Sequence, residues 1–182
     1  MLVSTVIDKL PNRKNFIDGK NTVEIGYPWL TVDSIIFLES VLRKNFNVFE
    51  CGCGGSTVFY SNNCLSVFAL ETDEIWANKV KNLNLNNVDV KHLKNTEEFV
   101  EIIKQLPNNF YDVISIDSDP KKTNRLVLTK HAIPKIKRFG FLILDNYNAF
   151  GTEKFLKPEN CIEYTFDDPN WAGKGTKIFQ LK

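Results

Sequence analysis

The chain has 182 residues, 43% hydrophobic and 25% charged, with Lys+Arg 23 against Asp+Glu 22. That is the size and balance of one globular domain with its own core, and it excludes disordered, fibrous and low-complexity architectures. A net charge of +1 gives no bulk field for a polyanion, which disfavours nucleic acid as a partner, and no apolar run approaches the roughly 20 residues of a membrane span.

The opening stretch Met1 to Leu10 mixes apolar residues with Asp8 and Lys9 and lacks the basic start and long apolar run of a signal peptide, which points to a cytoplasmic protein. Cys51, Cys53, Cys64 and Cys161 are too few for a disulfide scaffold. Cys51-Gly52-Cys53 also lacks the Cys-x-x-Cys spacing of a zinc clip, so the four read as reduced, packed thiols. There is no internal repeat, linker or composition break, so residues 1–182 read as a single domain.

In chain order, Thr31 to Lys44 sets Val32, Ile35, Ile36, Leu38, Val41 and Leu42 along one broad face behind Thr31, a helix with its N-cap. Short runs rich in Val, Ile and Phe then predict strands at Asn47 to Cys51, Ser66 to Leu70, Val88 to His92, Tyr111 to Asp117 and Phe139 to Asp145. Helices are predicted between them at Ser56 to Ser61, Asp73 to Leu83, Thr96 to Leu106 and Thr123 to Lys137, with Pro134 ending or bending the last one early. The alternation gives an α/β protein with a parallel sheet covered on both faces. Two further strands, Cys161 to Phe166 and Thr176 to Leu181, flank the turn residues Asp167-Asp168-Pro169-Asn170, so they should form an antiparallel hairpin.

The most informative segment is Glu50-Cys51-Gly52-Cys53-Gly54-Gly55-Ser56-Thr57, where a strand runs through three glycines into a helix. Such a loop lets backbone turn tightly and lets a ligand approach without meeting a Cβ, at the carboxyl ends of the strands where open α/β sheets bind ligands. The dinucleotide pattern Gly-x-Gly-x-x-Gly fails, because Thr57 stands at its third glycine, and a carboxylate at Glu50 would repel a pyrophosphate. Glu71 follows about 20 residues later at the end of the next strand, the separation expected of a ribose-binding acid.

These residues resemble the class I S-adenosylmethionine-dependent methyltransferases, whose first motif is an acid followed by Gly-x-Gly-x-Gly, with Ser56 here in place of the last glycine. The resemblance extends to a smaller set that opens with Pro-Trp-Leu-Thr, as at Pro28 to Thr31, and closes with a Thr-x-Ile-Phe strand, as at Thr176 to Phe179. It implies a Rossmann-like methyltransferase fold, a seven-stranded mostly parallel sheet of order 3-2-1-4-5-7-6 whose last inserted strand is antiparallel, with helices on both faces. It further implies S-adenosylmethionine held by Glu50, Gly52, Gly54, Gly55, Ser56, Thr57, Glu71, Thr72 and Asp117, with the sulfonium facing Tyr27, Pro28 and Asp117 and residues 1–30 as a lead-in segment over the site.

Asp117 ends the fourth strand, and Asp145-Asn146 ends the fifth, a pairing similar to that of the metal-dependent catechol and caffeoyl-coenzyme A O-methyltransferases. That resemblance implies Mg²⁺ on Asp117, Asp145 and Asn146, a donor set suited to a hard cation. Pro120 stands where those enzymes carry a lysine base, leaving Lys121 or Lys122, or Asp117 itself, as the catalytic group. The segment Asp117-Ser118-Asp119-Pro120 lacks the Pro-Pro-aromatic motif of amine methylation. The expected reaction is therefore methyl transfer to an oxygen of a small-molecule or glycan-like acceptor, with a homodimer as the route to surface for anything larger. A cofactor-binding partner protein without turnover and an NAD-binding oxidoreductase are the alternatives. His92 and His131 have no ligand partner at useful spacing and read as structural, while Tyr147 and Trp171 lie on the side where an acceptor enters.

Overall fold

The computed structural model describes residues 21–148, 157–168 and 175–182. Seven strands form one sheet: β1 (Asn47–Cys51), β2 (Ser66–Glu71), β3 (Val88–His92), β4 (Tyr111–Ile116), β5 (Ile136–Asp145), β6 (Cys161–Asp167) and β7 (Gly175–Leu181). Their order is β3-β2-β1-β4-β5-β7-β6. The first five strands are parallel, and β7 lies antiparallel to both β5 and β6. This is the order and the inserted antiparallel strand that the methyltransferase resemblance implies.

Among the described residues six α-helices connect or flank the strands: α1 (Thr22–Ile25), α2 (Val32–Val41), α3 (Gly55–Asn63), α4 (Glu74–Lys81), α5 (Thr96–Gln105) and α6 (Arg125–Ala132). Side chains alternate across the sheet with the period of a strand. On β1, Phe49 and Cys51 enter a core with Phe99 and Ile103 of α5 and Leu128 of α6. Val48 enters the opposite core, with Ile35 and Leu38 of α2 and Phe59 and Tyr60 of α3. Helix α4 sets Ala77 and Val80 against Ala69, Val90 and Val23 of α1. All four cysteines are free thiols. Among the described residues no helix is long and apolar enough to cross a membrane.

Two details depart from the sequence expectation. Helix α1 was not foreseen, because four residues are too few for periodicity; Asn21 starts it with a capping box, its side chain accepting from Val23 and Glu24 while Glu24 accepts from Asn21. The helix predicted to Lys137 ends at Ala132, passes through a 3₁₀ turn at Ile133–Lys135 containing Pro134, and gives way to β5 three residues earlier than expected. The register of β5 then slips opposite Tyr111 and Val113, with Phe139 in the left-handed region at φ 64°. Of the predicted hairpin turn, Pro169 and Asn170 lie outside the described residues, as does Trp171.

Strand register positions the candidate site. Cys51 pairs with Leu70 on one side and Ile116 on the other, Ile116 pairs with Leu144, and Asp145 pairs with Thr176. One step beyond the first three pairs, the tips line up as Glu71, Gly52, Asp117 and Asp145, with Thr176 beside Asp145.

Candidate functional site

Gly52 has φ 99°, and a Cβ there would lie 2.8 Å from the carbonyl oxygen of Asp117, so only glycine allows β1 to turn between its neighbours. Its N–H donates to Leu70 O at 2.7 Å, while Asp117 N–H donates to Cys51 O at 2.8 Å. Gly55 is constrained differently: a Cβ would sit 2.0 Å from Tyr27 O and 2.5 Å from Thr22 O. The lead-in residues therefore pack directly on the first turn of α3.

The acid before the glycines does not face an open crevice. Glu50 is 1% exposed, and its carboxyl accepts from Ser56 Oγ at 2.8 Å and from Thr57 Oγ1. Thr57, fully buried, also accepts from Gly54 N–H at 2.9 Å. Burial raises the Glu50 pKa to about 8, with the nearby Glu71 and Asp117 adding to the rise against the two hydroxyl donors. Glu50, Ser56 and Thr57, expected as cofactor contacts, thus form a closed network that shapes the loop from behind, because the alternation of β1 turns residue 50 toward α3. Tyr27 is turned away in a similar manner, its hydroxyl donating to Glu39 at 3.1 Å and its ring 5.5 Å from that of Phe59, and Pro28 is buried.

Glu71 stands at the tip of β2, 7% exposed. Oε1 accepts the N–H groups of Thr72 at 2.7 Å and Asp73 at 2.8 Å, and Oε2 accepts that of Cys53 at 2.7 Å. The bond to Cys53 ties the glycine loop to β2. A carboxylate has about four acceptor positions, so Oε2 keeps capacity for a ligand hydroxyl. Thr72 is buried; its carbonyl lies 3.3 Å from His92 Nε2 and takes Lys122 Nζ at 3.4 Å, which gives His92 the structural place expected of it.

On the other side of the loop the structure supplies a residue the sequence reading missed. Arg125, 5% exposed, pairs with Asp117, Nη2 to Oδ1, at 2.9 Å. Its Nε donates to Ser118 O at 2.7 Å and its Nη1 to Asp145 O at 2.8 Å. The signal was present: Arg125, Leu128, Thr129 and Ala132 are the buried positions of α6, at helical spacing, so an arginine occupied an inward stripe. Asp145 is 2% exposed and accepts from Thr176 Oγ1 at 2.8 Å, which in turn accepts from Thr31 N–H at 3.3 Å. Burial, then the charge of Asp117, raises the Asp145 carboxyl well above its ordinary range. Asp117 is raised as well, by burial first, with Arg125 opposing.

Asp117, Asp145 and Asn146 therefore do not fit Mg²⁺. A divalent ion needs ionised oxygens turned to a common point, whereas Asp117 already meets a cation and the Asp145 side chain is directed to Thr176. Asn146 belongs to the turn after β5, with φ 51°. Among the described residues no group of three His, Cys, Asp or Glu side chains could hold a metal. Lys121, expected as a catalytic base, is exposed on the turn after β4, where its N–H donates to Asp119 Oδ1 at 2.9 Å, and the cation that meets Asp117 is Arg125. Tyr147 packs on the hairpin, its hydroxyl donating to Asp167 at 2.7 Å beneath the Lys177 ammonium.

No family model and no curated protein sequence matches the chain. Solved structures do. The chain is similar to SMU.1697c from Streptococcus mutans in complex with SAH, at 19% identity over 80% of this chain and 92% of that one, with a TM-score of 0.56. It is also similar to an rRNA methylase from Streptococcus thermophilus (14% identity, 82% and 95% of the two chains, TM-score 0.58). A third is phosphoethanolamine N-methyltransferase 1 of Haemonchus contortus, in complex with phosphoethanolamine and S-adenosylhomocysteine (13%, 98% and 48%, TM-score 0.57). At these identities the likeness concerns the fold: the chain has the fold of the class I methyltransferases. The acceptors named for these neighbours differ in kind, so the fold leaves the acceptor open.

Proposed function

We propose that the protein transfers a methyl group from S-adenosylmethionine to an oxygen of a small-molecule or glycan-like acceptor. The observation that carries this reading is the row of strand tips, in which side-chain-free Gly52 lies between Glu71 and Asp117 at the carboxyl ends of β2, β1 and β4. Glu71 Oε2 would accept a ribose hydroxyl, and the glycine backbone would admit the amino-acid arm toward Asp117. The cofactor supplies a methyl group already activated by the sulfonium charge. The chain's own task is to align an acceptor oxygen with that methyl and to keep water out, which contributes more than a dedicated base would. With Lys121 exposed, Lys122 on Thr72 and Asp117 held by Arg125, alignment is the chemistry these residues offer. An oxygen acceptor is favoured over an amine because the strip after β4 lacks the Pro-Pro-aromatic motif, and the lead-in residues against Gly55 would close the site.

A dinucleotide is disfavoured by the same geometry. The N–H groups at the start of α3 that would receive a pyrophosphate are engaged, Gly54 with Thr57 and Gly55 with Thr22 Oγ1 at 3.3 Å.

Calorimetric titration of S-adenosylmethionine into wild type and Glu71→Ala tests the reading. Loss of a charged acceptor for a ribose hydroxyl should weaken binding by about 2 kcal/mol, roughly thirtyfold; equal affinities would remove Glu71 from the site, and no binding by wild type would end the cofactor reading. Labelled methyl transfer to fractionated small-molecule extracts then separates an enzyme from a binding protein without turnover.

A further inference from the structure

Arg125 touches neither cofactor nor acceptor in the function just described, yet all three of its guanidinium nitrogens are hydrogen-bonded at the strand tips. Its guanidinium binds two backbone carbonyls, Ser118 O and Asp145 O, and one carboxylate oxygen, Asp117 Oδ1, at 2.7, 2.8 and 2.9 Å. The first two bonds fix the guanidinium to the ends of adjacent strands, and the third then fixes Asp117. A planar fork holds its partner in one orientation, which a lysine ammonium cannot do. The Asp117 side chain remains 38% exposed while that of Arg125 is 4% exposed, so Oδ2 is the acceptor that Asp117 presents outward.

The register sets Glu71 and Asp117 one strand to each side of Gly52, about 10 Å apart by strand spacing. A nucleoside held on Glu71 therefore extends its 5′ substituent over Gly52 toward Asp117. We propose that Arg125 is a positioning residue that turns Asp117 Oδ2 toward the α-ammonium of the cofactor's amino-acid arm, and so determines affinity for that arm without affecting the adenosine end. The proposal rests on the cofactor reading above and names the residue that orients one end of that site. Arg125 also opposes the rise of the Asp117 pKa, which favours the ionised carboxylate that meets an ammonium.

The test compares two probes, S-adenosylhomocysteine, which carries the arm, and 5′-methylthioadenosine, which lacks it. Affinities are measured by calorimetry for wild type, Asp117→Asn, Arg125→Met, Arg125→Lys and the Asp117→Asn/Arg125→Met pair. Arg125→Lys keeps the charge without the fork and provides a folded variant should the methionine variant fail to fold. The expected result is a loss of about tenfold or more for S-adenosylhomocysteine in each single variant, no further loss in the pair, and 5′-methylthioadenosine binding held within about twofold of wild type. Equal losses for both probes would mean that Arg125 is merely structural and would overturn the proposal. Unchanged S-adenosylhomocysteine affinity in Arg125→Lys and Arg125→Met would overturn it too, as would a wild type that binds S-adenosylhomocysteine but not 5′-methylthioadenosine, because the adenosine end then has no independent hold. A wild type that binds neither probe fails at the earlier step, removing the cofactor reading and this proposal with it.

Discussion

Glu50→Gln isolates the cost of ionising a carboxyl sealed behind the glycine loop. Glu50 is 1% exposed, and its pKa rises from an ordinary 4.5 to about 8. The folded state therefore keeps a proton that the unfolded chain releases. The stabilisation this provides is complete below pH 4.5 and is lost as pH climbs through 8. At about 1.4 kcal/mol per pH unit, the full displacement corresponds to about 5 kcal/mol, of which about 3 falls between pH 5 and pH 8. Glutamine has nearly the same shape, keeps an oxygen acceptor for one of the two hydroxyls while its NH2 can donate to the other, and does not titrate. Urea denaturation of both proteins at pH 5, 6, 7 and 8 should show the variant gaining on wild type by about 3 kcal/mol across that range, with the other titrating groups cancelling in the difference. A gap that stays constant with pH would refute the reasoning, since it would mean that Glu50 ionises in the fold as readily as in the open chain.

Three further outcomes are expected. Cofactor affinity and methyl transfer should be the same in excess EDTA and in added Mg²⁺, because Arg125 already supplies the cation beside Asp117; loss of turnover with chelator would restore the metal reading. Lys135→Met should lower stability by about 2 kcal/mol in thermal melts, since Lys135 Nζ satisfies Leu106 O at 2.6 Å, Lys104 O at 3.3 Å and Asn108 Oδ1 at 2.8 Å at the end of α5. Phe139→Asn should raise the melting temperature. The left-handed backbone at φ 64° costs a bulky residue about 1–2 kcal/mol, while Phe139 is 57% exposed and its contact with Arg138 is worth about 0.5 kcal/mol.

Much of the architecture was legible because it is written locally. Runs such as Val48-Phe49 and Val113-Ile114 mark strands wherever they lie, Gly52 marks a turn no other residue can make, and the acids Glu71, Asp117 and Asp145 each end a strand in the sequence itself. The sheet order followed from resemblance, and the alternation of strands and helices already demanded parallel pairing. What escaped was chiefly the burial and charge pairing that neighbours distant in the chain impose. Glu50 could be read as an acid at a strand's end, but only the pairing of β1 between β2 and β4 and the packing of α3 turn its carboxyl inward and desolvate it. Lys121 and Arg125 are equally basic on paper; the placement of α6 exposes one and buries the other against two strand tips. The phase of Phe139 was equally hidden, because the slip of β5 past β4 depends on how both strands reach the core. Periodicity and turn chemistry are properties of a few consecutive residues, so the sequence by itself determined the elements and the place of the crevice. Solvation and charge pairing are properties of all the atoms brought around a group, so only the tertiary structure decided that the cation beside Asp117 is Arg125.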